Sequence, residues 1–182
     1  MCFIDFEKAY DNINRNKLFS ALEEYNLPKK LIRVIESLYE DTMIKVKIGE
    51  EVSECEKINK GVRQGCPLSC TLFNIYMDKI TRQWKATEPK GVKITNTEQI
   101  ETLLFADDQV IVAENEDELQ RSVFKLEKIA KEYGMKISTA KIKVIAFRGK
   151  EQKRSKIVVN EKIIEQVRKF KYLGVDISSE GR

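Results

Sequence analysis

The sequence predicts an α+β fold, and three observations carry that prediction. Apolar residues recur at helical spacing in four stretches, β-prone apolar runs come in pairs separated by short turns, and the two kinds of segment do not alternate one for one. The resulting order begins β-α-α-β-β-α-β-β-α-β-β, in which hairpins are interleaved with helices. A chain of 182 residues, 42% hydrophobic and 34% charged, can bury a core as one domain or at most two small ones. With 8 Gly and 3 Pro and no repeat, collagen-like and low-complexity readings are excluded.

Cys2-Phe3-Ile4-Asp5-Phe6 opens the chain as a short apolar strand that delivers Asp5 at its tip. Asp11 to Asn14 breaks it. Leu18, Ala21, Leu22 and Tyr25 then share one helix face, and after Leu27-Pro28 a second helix carries Leu31, Ile32, Ile35, Leu38 and Tyr39. Met43 to Ile48 and Val52 to Ile58 flank Gly49-Glu50-Glu51 as a β-hairpin. Pro67 to about Trp84 reads as a long buried helix entered through Gly65. Thr102-Leu103-Leu104-Phe105 and Val110-Ile111-Val112-Ala113 form a tight hairpin whose turn is Ala106-Asp107-Asp108-Gln109. Glu116 to Tyr133 is amphipathic, acidic at its start and followed by Gly134 at its end, as the helix dipole and a glycine cap favour. Short strands follow at Val144–Phe147, Lys156–Val159, Glu161–Ile164 and Phe170–Leu173. The best internal break is the polar basic loop Gly149 to Ser155, giving 1-148 as the core and 149-182 as a further part of the same domain.

The chain contains no His, which removes His-based triads, Cys₂His₂ zinc sites and His general-base chemistry. Any catalysis must run on carboxylates, lysines, hydroxyls or metals. Four cysteines without a CxxC pair read as reduced packing residues. No stretch of about 18 apolar residues and no basic-apolar leader are present, so an intracellular protein, cytoplasmic or nuclear and not membrane-bound, is expected. Net charge is +4 but unevenly placed. Glu98 to Glu118 holds eight acids and no Lys or Arg, while Lys141 to Lys171 holds eleven Lys and Arg against three Glu. An acidic centre beside a basic flank suits a metal site next to a polyanion; ordinary solvated charge is the plainer reading.

Asp107-Asp108 is the most informative pair. Two adjacent carboxylates between apolar strands, with no basic neighbour in sequence, are costly unless a cation is bound. Carboxylates favour Mg²⁺ or Mn²⁺, and two-metal clamps are common in phosphoryl transfer. Asp5, also at the end of an apolar strand, is the natural third ligand, since two such strands side by side bring Asp5 and Asp107 to one edge. A solvated Asp-Asp turn is the alternative for the dipeptide alone.

Asp5-Phe6-Glu7-Lys8-Ala9-Tyr10-Asp11, Gly61-Val62-Arg63-Gln64-Gly65-Cys66-Pro67-Leu68-Ser69 and Phe105-Ala106-Asp107-Asp108 resemble, in order and spacing, successive palm motifs of the reverse transcriptases of non-LTR (LINE-like) retrotransposons. Gly134 to Ser138 with Lys141, and Phe170-Lys171-Tyr172-Leu173-Gly174, resemble the next two motifs. The resemblance covers nearly the whole chain. It implies a polymerase palm, an antiparallel sheet backed by helices, and RNA-directed DNA synthesis in which a primer 3′-OH attacks a dNTP on an RNA template. Asp5 and Asp107 would be the principal ligands of two Mg²⁺ or Mn²⁺ ions, with Asp108 assisting and the Phe6 carbonyl joining them.

Tyr10 matches the gate that crowds a ribose 2′-OH, which favours deoxynucleotides and disfavours an RNA-templated RNA polymerase. Arg63, Gln64 and Gly65 would meet the incoming nucleotide and template, and Lys141 would neutralise or protonate departing pyrophosphate. Phe170 to Gly174 would grip the primer, by contacts of Phe170, Lys171, Tyr172, Leu173 and Gly174. Taken singly, Tyr10 is as well a core aromatic, Gly65 a helix-entry turn, Lys141 a surface lysine and 170–174 an edge strand. Three positions depart from the family pattern: Cys70 follows Ser69 where Pro is usual, Ser138 stands for Asn, and Ile142 replaces a small hydroxyl residue. The fingers segment before the first motif and a thumb after the fifth lie outside the chain, so little activity of this piece alone is expected. A truncated, inactive retroelement remnant that only binds nucleic acid is the alternative function.

Overall fold

A computed structural model describes residues 1–147 and 154–180; the core boundary at 148/149 and most of the predicted loop from Gly149 lie outside them. The elements, in order, are β1 (Cys2–Ile4), a 3₁₀ turn (Ala9–Asn12), α1 (Arg15–Glu24), α2 (Lys29–Tyr39), β2 (Met43–Ile44), β3 (Lys47–Ile48), β4 (Glu51–Val52), β5 (Glu56–Lys57) and α3 (Pro67–Lys85). They continue with β6 (Val92–Lys93), β7 (Gln99–Ile100), β8 (Thr102–Phe105), β9 (Asp108–Ile111), α4 (Glu116–Glu132), β10 (Lys143–Val144), β11 (Val158–Val159), β12 (Lys162–Ile163), β13 (Lys169–Tyr172) and β14 (Val175–Ser178). The fold is α+β, as predicted. No helix among the described residues is long and apolar enough to cross a membrane.

The chain forms two compact units: Lys8–Lys79, and Met1–Glu7 with the chain from Ile80 onward. The second is built on a four-stranded antiparallel sheet of order β10-β1-β9-β8. Its register pairs Cys2, Phe3 and Ile4 with Ile111, Val110 and Gln109, and Phe105 with Asp108. Antiparallel partners project to one face, so Phe3 and Val110 form one side and Ile4 and Gln109 the other. Phe3, Val110 and Ile145 are buried on the first side beneath Phe170, Tyr172 and Ile177 of the β13–β14 hairpin. α4 carries Leu119, Val123, Leu126 and Ile129 inward, and Trp84, at the end of α3, donates from its indole Nε1 to the Ser122 carbonyl at 2.9 Å.

α4 starts where the Asn115 side chain accepts from Glu118 N. It ends as predicted at Tyr133-Gly134, where Met135 N donates to Ala130 O and Gly134 N to Lys131 O, the paired closure of a Schellman motif. The β11–β12 hairpin is clipped to α4 by the Gln120 amide, which donates to Val158 O and accepts from Val158 N.

In the Lys8–Lys79 unit, α1 buries Leu18, Ala21 and Leu22, and α2 buries Ile32, Ile35 and Tyr39. Arg15, only 8% exposed, donates to the carbonyls of Tyr39, Ile58 and Gly61 at 3.0, 2.8 and 2.9 Å and lies over the Tyr39 ring. The predicted ribbon through Gly49 forms as β2–β5 and β3–β4, yet its apolar residues Met43, Ile44, Val46, Ile48 and Val52 are exposed. The cysteine reading needs correction. Cys2 is buried, and burial pushes its thiol up to about 12, but Cys55, between β4 and β5, and Cys70, in the first turns of α3, are exposed.

Candidate active site

The β8–β9 turn differs from the one the sequence implied. Asp108 and Gln109 already belong to β9, so the loop is two residues, Ala106-Asp107. Ala106 takes a φ of 53° and Asp107 is not in that region, the pattern of a mirror-image hairpin turn that follows the sheet twist. The four-residue turn failed because β8 and β9 pair out to Phe105 and Asp108. β8 is the sheet's edge strand, which leaves Leu103, Leu104 and Phe105 exposed.

Extending the β1–β9 register by one residue places Asp5 across from Asp108, with Asp107 beside it in the turn. The Asp108 carboxyl is pushed above the usual carboxylate range, first by burial and then by the negative charges of Asp107 and Asp5, with Lys141 pulling the other way. Asp107, Asp5 and Lys141 thus all act on the Asp108 carboxyl. Lys141 reaches them through a second strand-like contact. Phe6 bridges Ile137, with Glu7 N donating to Lys136 O and Ser138 N to Asp5 O. The turn that follows carries Lys141 Nζ to 3.3 Å from Asp5 Oδ2.

In that bridge Phe6 is the non-hydrogen-bonded residue, so the bridge does not use its carbonyl. Asp5 Oδ2 is buried and accepts no hydrogen bond; Lys141 approaches it as an ion pair. Among the described residues no three His, Cys, Asp or Glu gather as a ready-made metal cage. Carboxylates without a cation between them repel, and here a lysine partly neutralises Asp5 instead. The donor set still fits a hard divalent cation: oxygen ligands only, one buried and without a hydrogen bond, and one carboxyl pushed up by burial and then by its acidic neighbours.

The β13–β14 hairpin belongs to the same unit. Phe170 and Tyr172 turn inward, their ring centroids 4.5 and 5.7 Å from that of Phe3, and Tyr172 OH donates to the Asp108 carbonyl at 3.3 Å. Burial and the Asp108 charge push the Tyr172 phenol up, so it remains a donor at neutral pH. Lys171, Leu173 and Gly174 face outward. Leu173 and Gly174 make the turn with φ of 47° and 83°.

The remaining sequence candidates lie in the Lys8–Lys79 unit. Tyr10 is half-buried and stacks on Phe73 at 4.3 Å. Arg63 is exposed and donates to Leu38 O at the end of α2. Gln64 Nε2 donates to Asp11 Oδ1 at 3.0 Å, and Val62 N to Tyr10 O at 3.0 Å, so the first and second motifs are laced together. Gly61 makes the close approach: at φ 78° a Cβ there would stand 2.8 Å from Asp11 O. Gly65 has a φ of 81° and open space where a Cβ would be.

Sequence reasoning missed Arg15, Asp11 and Gln109. Gln109 is fully buried beside Asp108, its amide nitrogen on Thr102 Oγ1 and its oxygen without a partner. Its place after two aspartates made it read as turn; the apolar run that follows it was the available signal.

An acidic pair at a hairpin turn of an antiparallel sheet in an α+β chain, with the motif order above, fits the class of nucleic-acid polymerases. The chain belongs to the reverse transcriptase (RNA-dependent DNA polymerase) family, which it matches over residues 1–177. It is 30% identical over 191 residues to the Pol polyprotein of the type-1 retrotransposable element R2 of Nasonia vitripennis, covering 100% of this chain and 18% of that protein. It is 21% identical over 182 residues to the RNA-directed DNA polymerase from mobile element jockey of Drosophila melanogaster, covering 96% and 19%. Among solved structures it resembles telomerase from Candida albicans bound to a fragment of telomeric RNA, with a TM-score of 0.63 at 16% identity, over 97% of this chain and 29% of that one. Apo telomerase from Candida tropicalis gives 0.61 at 21% identity over 98% and 33%. These structures bear on fold alone. The chain spans under a fifth of the length of the R2 polyprotein and of the jockey polymerase.

Proposed function

We propose that this chain is the palm of a retrotransposon reverse transcriptase that adds dNTPs to a primer 3′-OH on an RNA template. The observation that carries the reading is the carboxylate cluster: Asp5 in register with Asp108, Asp107 beside it, and Lys141 as the nearby cation. Asp5, Asp107 and Asp108, with the Phe6 carbonyl, would hold Mg²⁺ or Mn²⁺, as two ions. Bound there, such ions would activate the attacking oxygen and steady the leaving group. Lys141 then supplies positive charge, or a proton, to departing pyrophosphate. Tyr10, held flat by Phe73, guards the sugar; Arg63, Gln64 and Gly65 receive nucleotide and template.

The exposed Lys171, Leu173 and Gly174 at the hairpin tip face the primer, while Phe170 and Tyr172 fix that tip to the sheet. In this reading residues 1-148 form the palm core and 149-182 add a basic loop and the primer-gripping hairpin. On this proposal the protein works inside the cell, in cytoplasm or nucleus.

Primer extension on an RNA template by the intact protein tests the reading. Incorporation of dNTPs in preference to ribonucleotides, abolished by a chelator, is expected. Nucleic-acid binding that is equal in chelator, without extension, would overturn it in favour of a binding remnant.

A further inference from the structure

Phe3, Asp5, Val110 and Asp108 fall on one face of the central sheet, by the alternation of β1 and β9. The β13–β14 hairpin lies on that face. Its two inward aromatics do different things there. Phe170 packs on Phe3 at 4.5 Å and makes an apolar contact. Tyr172 packs on the same ring and also extends its hydroxyl to the main-chain carbonyl of Asp108. That carbonyl belongs to the first residue of β9, immediately after the Ala106-Asp107 turn, whose Ala106 sits in the left-handed region. The Phe105–Asp108 pair closes this turn from within its own hairpin, and the Tyr172 hydroxyl ties the same backbone to the neighbouring hairpin.

On the other side of Tyr172 the chain enters the Leu173-Gly174 turn directly. One side chain thus spans from the residue before the hairpin tip to the backbone of a catalytic carboxylate.

Resting on the polymerase reading above, we infer that Tyr172 is a positioning residue: its hydroxyl sets the Asp107-Asp108 turn relative to the primer-gripping hairpin, so that primer and carboxylates are aligned as one piece. The sequence resemblance placed Tyr172 among residues that touch the primer. The geometry gives it an inward task, leaving primer contact to Lys171, Leu173 and Gly174. Loss of the hydroxyl would leave ring packing intact and would not remove any group that touches nucleotide or primer. Its effect therefore falls on the chemical step rather than on substrate affinity.

The test is Tyr172→Phe in the intact protein, measured by single-nucleotide addition on a primed RNA template, alongside Asp107→Asn. Tyr172→Phe is expected to lower kcat about tenfold while the dNTP KM and primer–template Kd stay within about twofold. Its melting temperature should stay within a few degrees, because only one partly buried hydrogen bond is lost. An unchanged kcat would overturn the inference. So would a weakened primer–template Kd at constant kcat, which would return Tyr172 to the primer surface. A second variant, Phe170→Leu, loosens the hairpin without touching the hydroxyl; a kcat loss as large as that of Tyr172→Phe would show that packing, not the hydroxyl, sets the turn. If Asp107→Asn keeps full activity, the polymerase reading itself fails; if Asp107→Asn is inactive and Tyr172→Phe is normal, only this inference fails.

Discussion

Asp108 binds its proton more tightly in the folded chain than an isolated aspartate does, because it is partly buried and faces Asp107 and Asp5. A carboxyl raised above its ordinary 3.8 favours folding below that pH, and the benefit is lost as pH rises through the folded value. At neutral pH its charge is a net cost to stability. Asp108→Asn is therefore expected to raise the melting temperature at neutral pH, with the gain vanishing below pH 3.8. Added Mg²⁺ should raise the melting temperature of the parent more than that of the variant, since a ligand stabilises only what binds it. Melting scans with and without the ion check both. A residue retained at a cost to stability is what a functional site predicts.

The sequence alone singled out Asp5, Asp107 and Asp108 as apolar-strand ends. It could not show that Lys141, 136 positions from Asp5, lies 3.3 Å from it. That proximity depends on the Phe6–Ile137 bridge, which has no local signature.

Elements were legible where a period of 3.6 runs long enough to count, as in α3 and α4. Strands of two to four residues offer too few alternations, so their ends were misplaced and β14, β6 and β7 were not foreseen. The short β8–β9 turn was hidden because Asp108 and Gln109 look like loop residues, although cross-strand pairing holds them in β9. Arg15 was hidden for a different reason: a buried guanidinium serving three carbonyls leaves no pattern in sequence. It ties the start of α1 to the end of α2 and to Gly61, where the second motif begins. Removing it strands three acceptors and a packed stem. Arg15→Ala should cost about 3 kcal/mol or more, read as a lower urea midpoint at unchanged slope. A cost under about 0.5 kcal/mol, the range of ordinary surface substitutions, would show that the three contacts are not maintained.

At the scale of the molecule, the two units divide at Lys8 and inside α3, after Lys79. Neither point carries a linker composition, and the apolar stripe of α3 runs through the second unbroken, so the sequence showed only the basic loop near residue 150 as a break. The assignment of function rests on one unit, since Asp5, Asp107, Asp108, Lys141 and the β13–β14 hairpin all belong to it. The most direct measurement is single-turnover primer extension on an RNA template by the intact protein and its Asp107→Asn variant, at equal primer–template occupancy. Removing one carboxylate from the cluster should slow nucleotide addition by about a thousandfold or more while leaving nucleic-acid affinity within about twofold. Extension that proceeds undiminished in Asp107→Asn would contradict the account.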